Sequence, residues 1–185
     1  MGLEEDYGKP LSEFTDEELM KIAGIVIIPL LKCNLFTIVD EEDFVSLNLA
    51  RYNWYKFKAG HTIYARTGQS TLLHRLILKP PLGLITDHIN GDGLDNTRAN
   101  LRLANKSQNQ ANQIKRPGKL SKYKGVTYDR SARTPLKWQA KITKNYKTIH
   151  LGRFYTEEEA AIAYNDAATM LFGEFANINL VAKGI

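Results

Sequence analysis

Between Ser121 and Leu180 the apolar pattern changes period, and that change constrains the fold more than any other feature of the chain. Lys137-Trp138-Gln139-Ala140-Lys141-Ile142-Thr143 alternates strictly, so Trp138, Ala140 and Ile142 share one face of a strand. Lys137, Gln139, Lys141 and Thr143 occupy the other face. Lys124–Tyr128 and Thr148–Phe154 read as two further strands, with Asn145 marking a turn. Thr156-x-x-Glu159 then forms a capping box. After it Ala160, Ala163, Tyr164, Ala167, Ala168 and Leu171 recur at helical spacing, and Gly173 supplies the stop. A three-stranded antiparallel sheet packed on one helix follows. The alanines let the helix approach closely, and Trp138 and Ile142 fill the interface. The opposite face is left to solvent. From Lys115 to Arg153, twelve Lys or Arg stand against one acid, Asp129, a net of +11. A charge run alone is a solvated face; on a sheet whose apolar side is already used it favours a nucleic-acid surface.

A second constellation lies upstream. Asp87-His88-Ile89-Asn90-Gly91-Asp92-Gly93 is followed by Asn100-Leu101-Arg102 and Ser107-Gln108-Asn109. Leu82–Thr86 is apolar and predicts a strand that delivers Asp87 and His88 at its end. Asn90-Gly91 and Asp92-Gly93 are turn dipeptides. Ser107–Ile114 is polar, lacks Gly and Pro, and predicts a short helix carrying Asn109. Strand, loop and helix would bring Asp87, His88 and Asn109 around one point. A hard cation such as Mg²⁺ takes oxygen ligands and keeps several waters, so one carboxylate and one amide oxygen suffice. Imidazole titrates near neutral pH, so His88 suits proton abstraction from water. Asn100 suits bracing the loop by side-chain-to-backbone bonds.

These residues resemble the HNH endonuclease motif in the version carried by homing endonucleases. Asn96, Asn100-Leu101-Arg102 and Ser107-x-Asn109 fall at that family's spacing, and His74-Arg75-Leu76-Ile77-Leu78 before Pro80-Pro81 resembles the strand preceding the motif. The resemblance implies His88 as general base, Asp87 and Asn109 as ligands of Mg²⁺ or Mn²⁺, and Asn100 as the structural asparagine. His74 reads equally as a contact to the scissile phosphate or as a strand-edge residue. Arg75, Arg102 and Lys106 read as phosphate contacts or as solvated charges.

The C-terminal stretch resembles the APETALA/ethylene-response-factor DNA-binding domain. Lys124-Gly125-Val126, Trp138-x-Ala140-x-Ile142, Leu151-Gly152-x-Phe154, Glu158-Glu159-Ala160-Ala161 and Gly173-x-x-Ala176-x-x-Asn179 carry the likeness. That family lays its sheet in the DNA major groove, which implies Lys124, Thr127, Arg130, Gln139, Lys141, Thr143 and His150 as groove-facing positions. Thr127, Thr143 and His150 depart from the family's usual arginines and tryptophans, so its sequence preference does not transfer.

The remaining chain fits this division. Residues 1–45 carry eleven acids and three bases, a net of −8, and residues 46–185 a net of +13. The basic part is expected to bind DNA with strong salt dependence. The single cysteine, Cys33, allows no intramolecular disulfide and no cysteine zinc cluster. Ile25–Leu31 is too short for a membrane span, and a soluble cytoplasmic protein is expected. A short helix is expected over Asp16–Ala23, and strands near Ile25–Ile28, Leu35–Val39, Trp54–Phe57 and Thr62–Ala65. The expected fold class is α+β: a ββα-metal (HNH) core after a strand-rich region, then the sheet-and-helix module. Expected boundaries are an acidic segment 1–24, a nuclease region 25–112, a basic linker 113–121 and a DNA-binding domain 122–181. The functional expectation is a site-specific, metal-dependent homing endonuclease acting on double-stranded DNA, monomeric on its target, with nicking or double-strand cutting open. The competing reading is a non-catalytic DNA-binding regulator with a degenerate motif; an RNA-binding helper is the third.

Overall fold

A computed structural model of the protein describes residue 15, residue 21, residues 23–114 and residues 120–181. Most of the expected helix over Asp16–Ala23, and the central part of the expected linker, 115–119, lie outside the described residues; Lys21 is helical and Ala23 lies in a turn. The chain divides into two compact units, Met1–Pro80 with Asp92–Arg102, and Pro81–Gly91 with Leu103–Ile185. The division runs inside the motif. Among the described residues no helix is long and apolar enough to cross a membrane.

In the first unit, β1 (Ile25–Pro29) and β2 (Phe36–Asp40) form an antiparallel hairpin. β2 runs into the helix α1 (Glu41–Ser46), whose first turn holds Glu41, Glu42 and Asp43, where the positive end of the helix favours acids. β3 (Trp54–Ala59) and β4 (Thr62–Thr67) form a second hairpin. Its two-residue loop begins with Gly60 at φ 62°, a left-handed conformation that glycine accepts without cost. Helix α2 spans Leu73–Leu78. This corrects the expected strand over His74–Leu78. Leu73, His74 and Ile77 are its buried residues, a helical spacing that so short an apolar run does not separate from a strand. Trp54, Leu49, Val39, Leu73, Ile77 and Leu101 make one core cluster, and the Trp54 indole N–H donates to the Leu49 carbonyl at 3.2 Å. Cys33 is half-buried and not disulfide-bonded.

The Asp92–Arg102 segment is built onto β2. The Ile38 N–H donates to the Leu94 carbonyl at 3.0 Å, and the Asn96 N–H to the Ile38 carbonyl at 2.9 Å, which extends the sheet by a parallel bridge. The Thr37 hydroxyl donates to the same Leu94 carbonyl at 2.6 Å and accepts from the Asn96 side-chain amide at 2.7 Å. Arg98 grips Asp43 with two guanidinium nitrogens at 2.7 and 2.8 Å, and its backbone N–H donates to Asp40 at 2.6 Å. Asp43 is 1% exposed, so its carboxylate depends on that clamp. A side chain at Gly93 would come within 2.6 Å of the Tyr64 ring, which fixes the loop tightly against β4.

In the second unit, β5 (Ile85–His88) and β6 (Leu101–Ala104), the latter straddling the division, form a two-stranded sheet. Helix α3 (Lys106–Asn112) follows. Antiparallel strands β7 (Val126–Tyr128), β8 (Trp138–Lys144) and β9 (Lys147–Phe154) form the three-stranded sheet, and α4 (Glu157–Phe172) packs on it. The capping box is present: the Thr156 hydroxyl accepts from the Glu159 N–H at 3.1 Å and Glu159 reaches back to the Thr156 N–H at 3.3 Å. Ala160, Ala161 and Ala168 are buried to 1% exposure or less, and Ala140, Val126 and Ile142 meet the helix from the sheet. Asn179 ties the tail to both: its side chain accepts from the Lys124 N–H at 2.6 Å and donates to the Lys124 carbonyl at 3.1 Å, while its backbone exchanges bonds with Asn165.

Helix α3 belongs to this same packing. Ala111 is buried with Ile142, Tyr164 and Phe172. Its carbonyl accepts from the Asn177 N–H at 3.2 Å, and the Ser107 hydroxyl accepts from the Asn145 N–H at 3.1 Å. The Lys124 ammonium donates to the carbonyls of Gln110, Ala111 and Gln113, closing the C-terminal end of the helix.

Two expectations follow. Gly125 sits at φ 75°, and a β-carbon there would overlap the Tyr164 ring and come within 2.7 Å of the Lys141 carbonyl. Gly125→Ala should therefore cost on the order of 3 kcal/mol in thermal unfolding, through overpacking and backbone strain. Gly60→Ala, with open space around it, should cost about 1 kcal/mol. Burial also pushes the Lys124 ammonium down to about 8. Between that value and the ordinary lysine value of about 10.4 the folded protein binds fewer protons than the unfolded chain, so this group adds stability as pH rises. The Tm difference between wild type and Lys124→Met should shift in favour of wild type from pH 8 to pH 10; a constant difference would contradict the desolvation of this half-buried ammonium.

Candidate functional site

The second unit assembles half of the motif by itself. β5 ends at His88, and the chain turns at once: the Gly91 N–H donates to the His88 carbonyl at 3.0 Å, with Gly91 at φ 78°. Asp87 and His88 are 5% and 6% exposed, which makes them a carboxylate and an imidazole drawn out of water side by side. Opposite them runs α3. Seven residues make a marginal helix in water. Its start is fixed by a capping box in which the Asn105 side chain accepts from the Gln108 N–H at 2.9 Å and Gln108 returns the bond at 2.8 Å. Its other end is held by Lys124. Asn109 is half-buried on this helix, and Asn112 lies on the same face three residues later.

Asn112 contacts β5 directly. Its amide nitrogen lies 3.2 Å from each Asp87 carboxylate oxygen and 2.7 Å from the His88 carbonyl. Sequence reasoning passed over this residue. The available signal was its spacing from Asn109, since i and i+3 share a helix face.

The first unit holds the other motif residues. Asn100 is buried, and its side-chain amide donates to the Asp95 carbonyl at 2.8 Å. Asp95 in turn accepts from the Thr97 hydroxyl at 2.8 Å, and Asp92 from the Leu94 N–H at 2.9 Å. The loop is thus a run of side-chain-to-backbone turns. His74 is buried in α2, edge-on to the Tyr64 ring with centroids 5.2 Å apart. Arg75 and Lys106 are exposed, and Arg102 is half-buried on β6.

Among the described residues no group of three or more His, Cys, Asp or Glu side chains is disposed to hold a metal. A cage of carboxylates is therefore not what this region offers. It offers one buried carboxylate, Asp87, and the amides of a facing helix. That donor set suits a hard cation that retains waters and takes its remaining oxygens from a phosphate.

The three-stranded sheet presents the second candidate surface. Pairing of Val126 with Ala140 and of Tyr128 with Trp138 puts those residues on the helix side, and leaves Thr127 and Gln139 on the open side. Lys141 pairs with His150 and Thr143 with Thr148 on the same open side. Thr127, Gln139, Lys141, Thr143 and His150 thus share one face; Arg130 follows β7, and the Lys124 ammonium is turned onto α3. Arg153 pairs with Gln139 and joins the open face. Strict alternation from Thr148 puts it on the helix side, but a bulge at Ala140/Lys141 shifts the register by one. Asp129 gathers this face: it accepts from Ser131 at 2.6 Å, Gln139 at 2.9 Å and Arg153 at 2.8 Å. The Ser131 and Arg153 bonds hold its carboxyl down at about 2.

Comparison with known proteins adds the identity. Residues 72–111 match the family described as HNH endonuclease. That span contains α2, β5, the turn and loop, β6 and nearly all of α3. The chain is also 36% identical, over 148 residues, to a protein of Acanthamoeba polyphaga mimivirus described as an uncharacterized HNH endonuclease; the alignment covers 75% of this chain and 74% of the viral one. No solved structure matches it. With that relative spanning three-quarters of both chains, and the motif residues standing where β5, the loop and α3 put them, the protein belongs to the HNH endonuclease family and is a nuclease.

Proposed function

We propose that the protein is a site-specific DNA endonuclease of homing type that hydrolyses phosphodiester bonds in double-stranded DNA with a divalent cation, Mg²⁺ or Mn²⁺. The observation that carries this reading is the buried Asp87–His88 pair at the end of β5, facing the helix that bears Asn109 within the family-matched span. Asp87 and Asn109 would hold the cation in a ββα-metal arrangement. When bound, it neutralises charge on the phosphate and on the leaving oxygen. His88 takes the proton from the attacking water, a task matched to an imidazole near neutral pH. Asn100 keeps the loop in shape through Asp95. His74, Arg75 and Arg102 in the first unit, and Lys106 in the second, serve as phosphate contacts.

The C-terminal module, in this reading, is an APETALA/ethylene-response-factor type domain that holds the target. Its open face, carrying Thr127, Gln139, Lys141, Thr143, His150 and Arg153 with Arg130 beside it, meets duplex DNA; Lys124 acts instead through α3. Arginine and lysine recognise guanine or phosphate and glutamine recognises adenine. Two contacts on one chain lengthen the footprint and favour a monomer on DNA.

Supercoiled plasmid carrying a host-derived or randomised insert, incubated with Mg²⁺ or Mn²⁺, should convert to open-circle or linear forms. EDTA and His88→Ala should each abolish that. Salt-sensitive duplex binding with no cleavage by the wild type would return the reading of a DNA-binding regulator. For the sheet, Lys141→Ala and Arg153→Ala in the full chain should each weaken duplex binding by about 1–3 kcal/mol where a base is read. Where only phosphate is touched, each should instead reduce the salt slope by about one. Unchanged binding in both variants, or preference for RNA in competition, would remove the sheet from the interface.

A further inference from the structure

We infer that Asn112 is a positioning residue of the nuclease site, orienting the Asp87 carboxylate toward the cation without touching the cation or the DNA itself. The inference rests on the reading that Asp87 is a cation ligand. A carboxylate at 5% exposure needs donors, because burial removes the water that would otherwise solvate it. Asn112 supplies them from an amide nitrogen equidistant, at 3.2 Å, from both carboxylate oxygens. That geometry restrains the rotation of the carboxylate plane and uses only part of the acceptor capacity of an ionised carboxylate. The same nitrogen donates at 2.7 Å to the His88 carbonyl, which also receives the Gly91 N–H. One side chain therefore engages both the Asp87 carboxylate and the turn that follows His88.

Asn112 can do this because it is itself held. It is 8% exposed and stands at the last position of α3, where Lys124 and the Asn177 N–H engage the neighbouring carbonyls. With its nitrogen directed at Asp87 and His88, Asn112 is the brace and Asn109, one turn earlier, is left as the amide-oxygen donor. Residues that orient a ligand in this way are worth roughly 10–100-fold in metal affinity or activity.

The test uses the full chain as wild type, Asn112→Ala and Asp87→Ala, with Mn²⁺ as probe. Unbound Mn²⁺ is followed by electron paramagnetic resonance, and plasmid cleavage is measured against Mn²⁺ concentration. For Asn112→Ala the expected result is Mn²⁺ binding weakened by roughly 10–100-fold, a matching rise in the Mn²⁺ needed for half-maximal cleavage, and cleavage largely recovered at saturating Mn²⁺. Duplex binding in EDTA should stay at the wild-type level. Wild-type Mn²⁺ affinity in Asn112→Ala, or an equal loss of duplex binding in EDTA, overturns the inference. Asp87→Ala separates this failure from failure of the underlying reading: if it too binds Mn²⁺ like wild type, Asp87 is not a ligand and the cation site is misplaced. Should Asn112→Ala lose cooperative unfolding, Asn112→Ser carries the same test, since its hydroxyl fills part of the space but is too short to reach both oxygens.

Discussion

The ammonium of Lys124 at the C-terminal end of α3 is the contact on which the proposed nuclease half-site rests. A helix of seven residues with two buried positions, Ala111 and Asn112, has little apolar surface with which to hold itself in place. What keeps it ordered is polar: a capping box at its start, Lys124 on three carbonyls at its end, and single bonds from Asn145 and Asn177. Asn112, which faces Asp87, and Asn109 on the same helix inherit their placement from these bonds. A charge drawn out of water is an expensive way to fix a helix. The depressed ammonium registers that cost, and the alternating acceptors of a helix end offset part of it.

The first unit solves a similar problem by different means. The Asp92–Arg102 loop contains little that is apolar, yet it must hold Asn100 in a fixed place. Thr37 and Asn96 link side chain to backbone across the end of β2, and Asp43 provides a buried anchor for Arg98. The nearby aspartates and threonine hold the loop's own turns. Much of what looks like a polar linker in composition is therefore a hydrogen-bonded structure.

Which of these features could be read from residues alone depended on whether packing or hydrogen bonding produced them. The α4 helix and its sheet were legible because Trp138, Ala140 and Ile142 alternate and the alanines repeat, so burial writes a period into the sequence. Thr156 and Glu159 announced the helix start for the same kind of local reason. The hairpin strands of the first unit were placed to within a few residues. The His74–Leu78 stretch was misread because six residues of α2 do not span enough turns to show their period. Arg153 was missed because a bulge interrupts alternation without leaving a mark in residue type. The attachment of α3 to the C-terminal sheet left no pattern at all, since a lysine reaching backbone carbonyls looks like any surface lysine. Asn112 was hidden for the related reason that one more amide in a polar helix carries no periodic signal.

The interleaving of the two units also bears on how such a protein can change by recombination. The path runs from the first unit into the second at Pro81, back at Asp92 and forward again at Leu103, so neither unit is one continuous stretch of gene. A crossover at the polar segment after α3 exchanges the terminal sheet and helix as a block, yet it also removes the lysine and the asparagine backbone that hold the end of α3. A replacement module is accepted only if it brings equivalent donors to the same carbonyls. Under the proposed function the terminal module is, in this sense, not a detachable address label but part of the frame of the cutting site, and new combinations are limited to modules that already carry the matching brace.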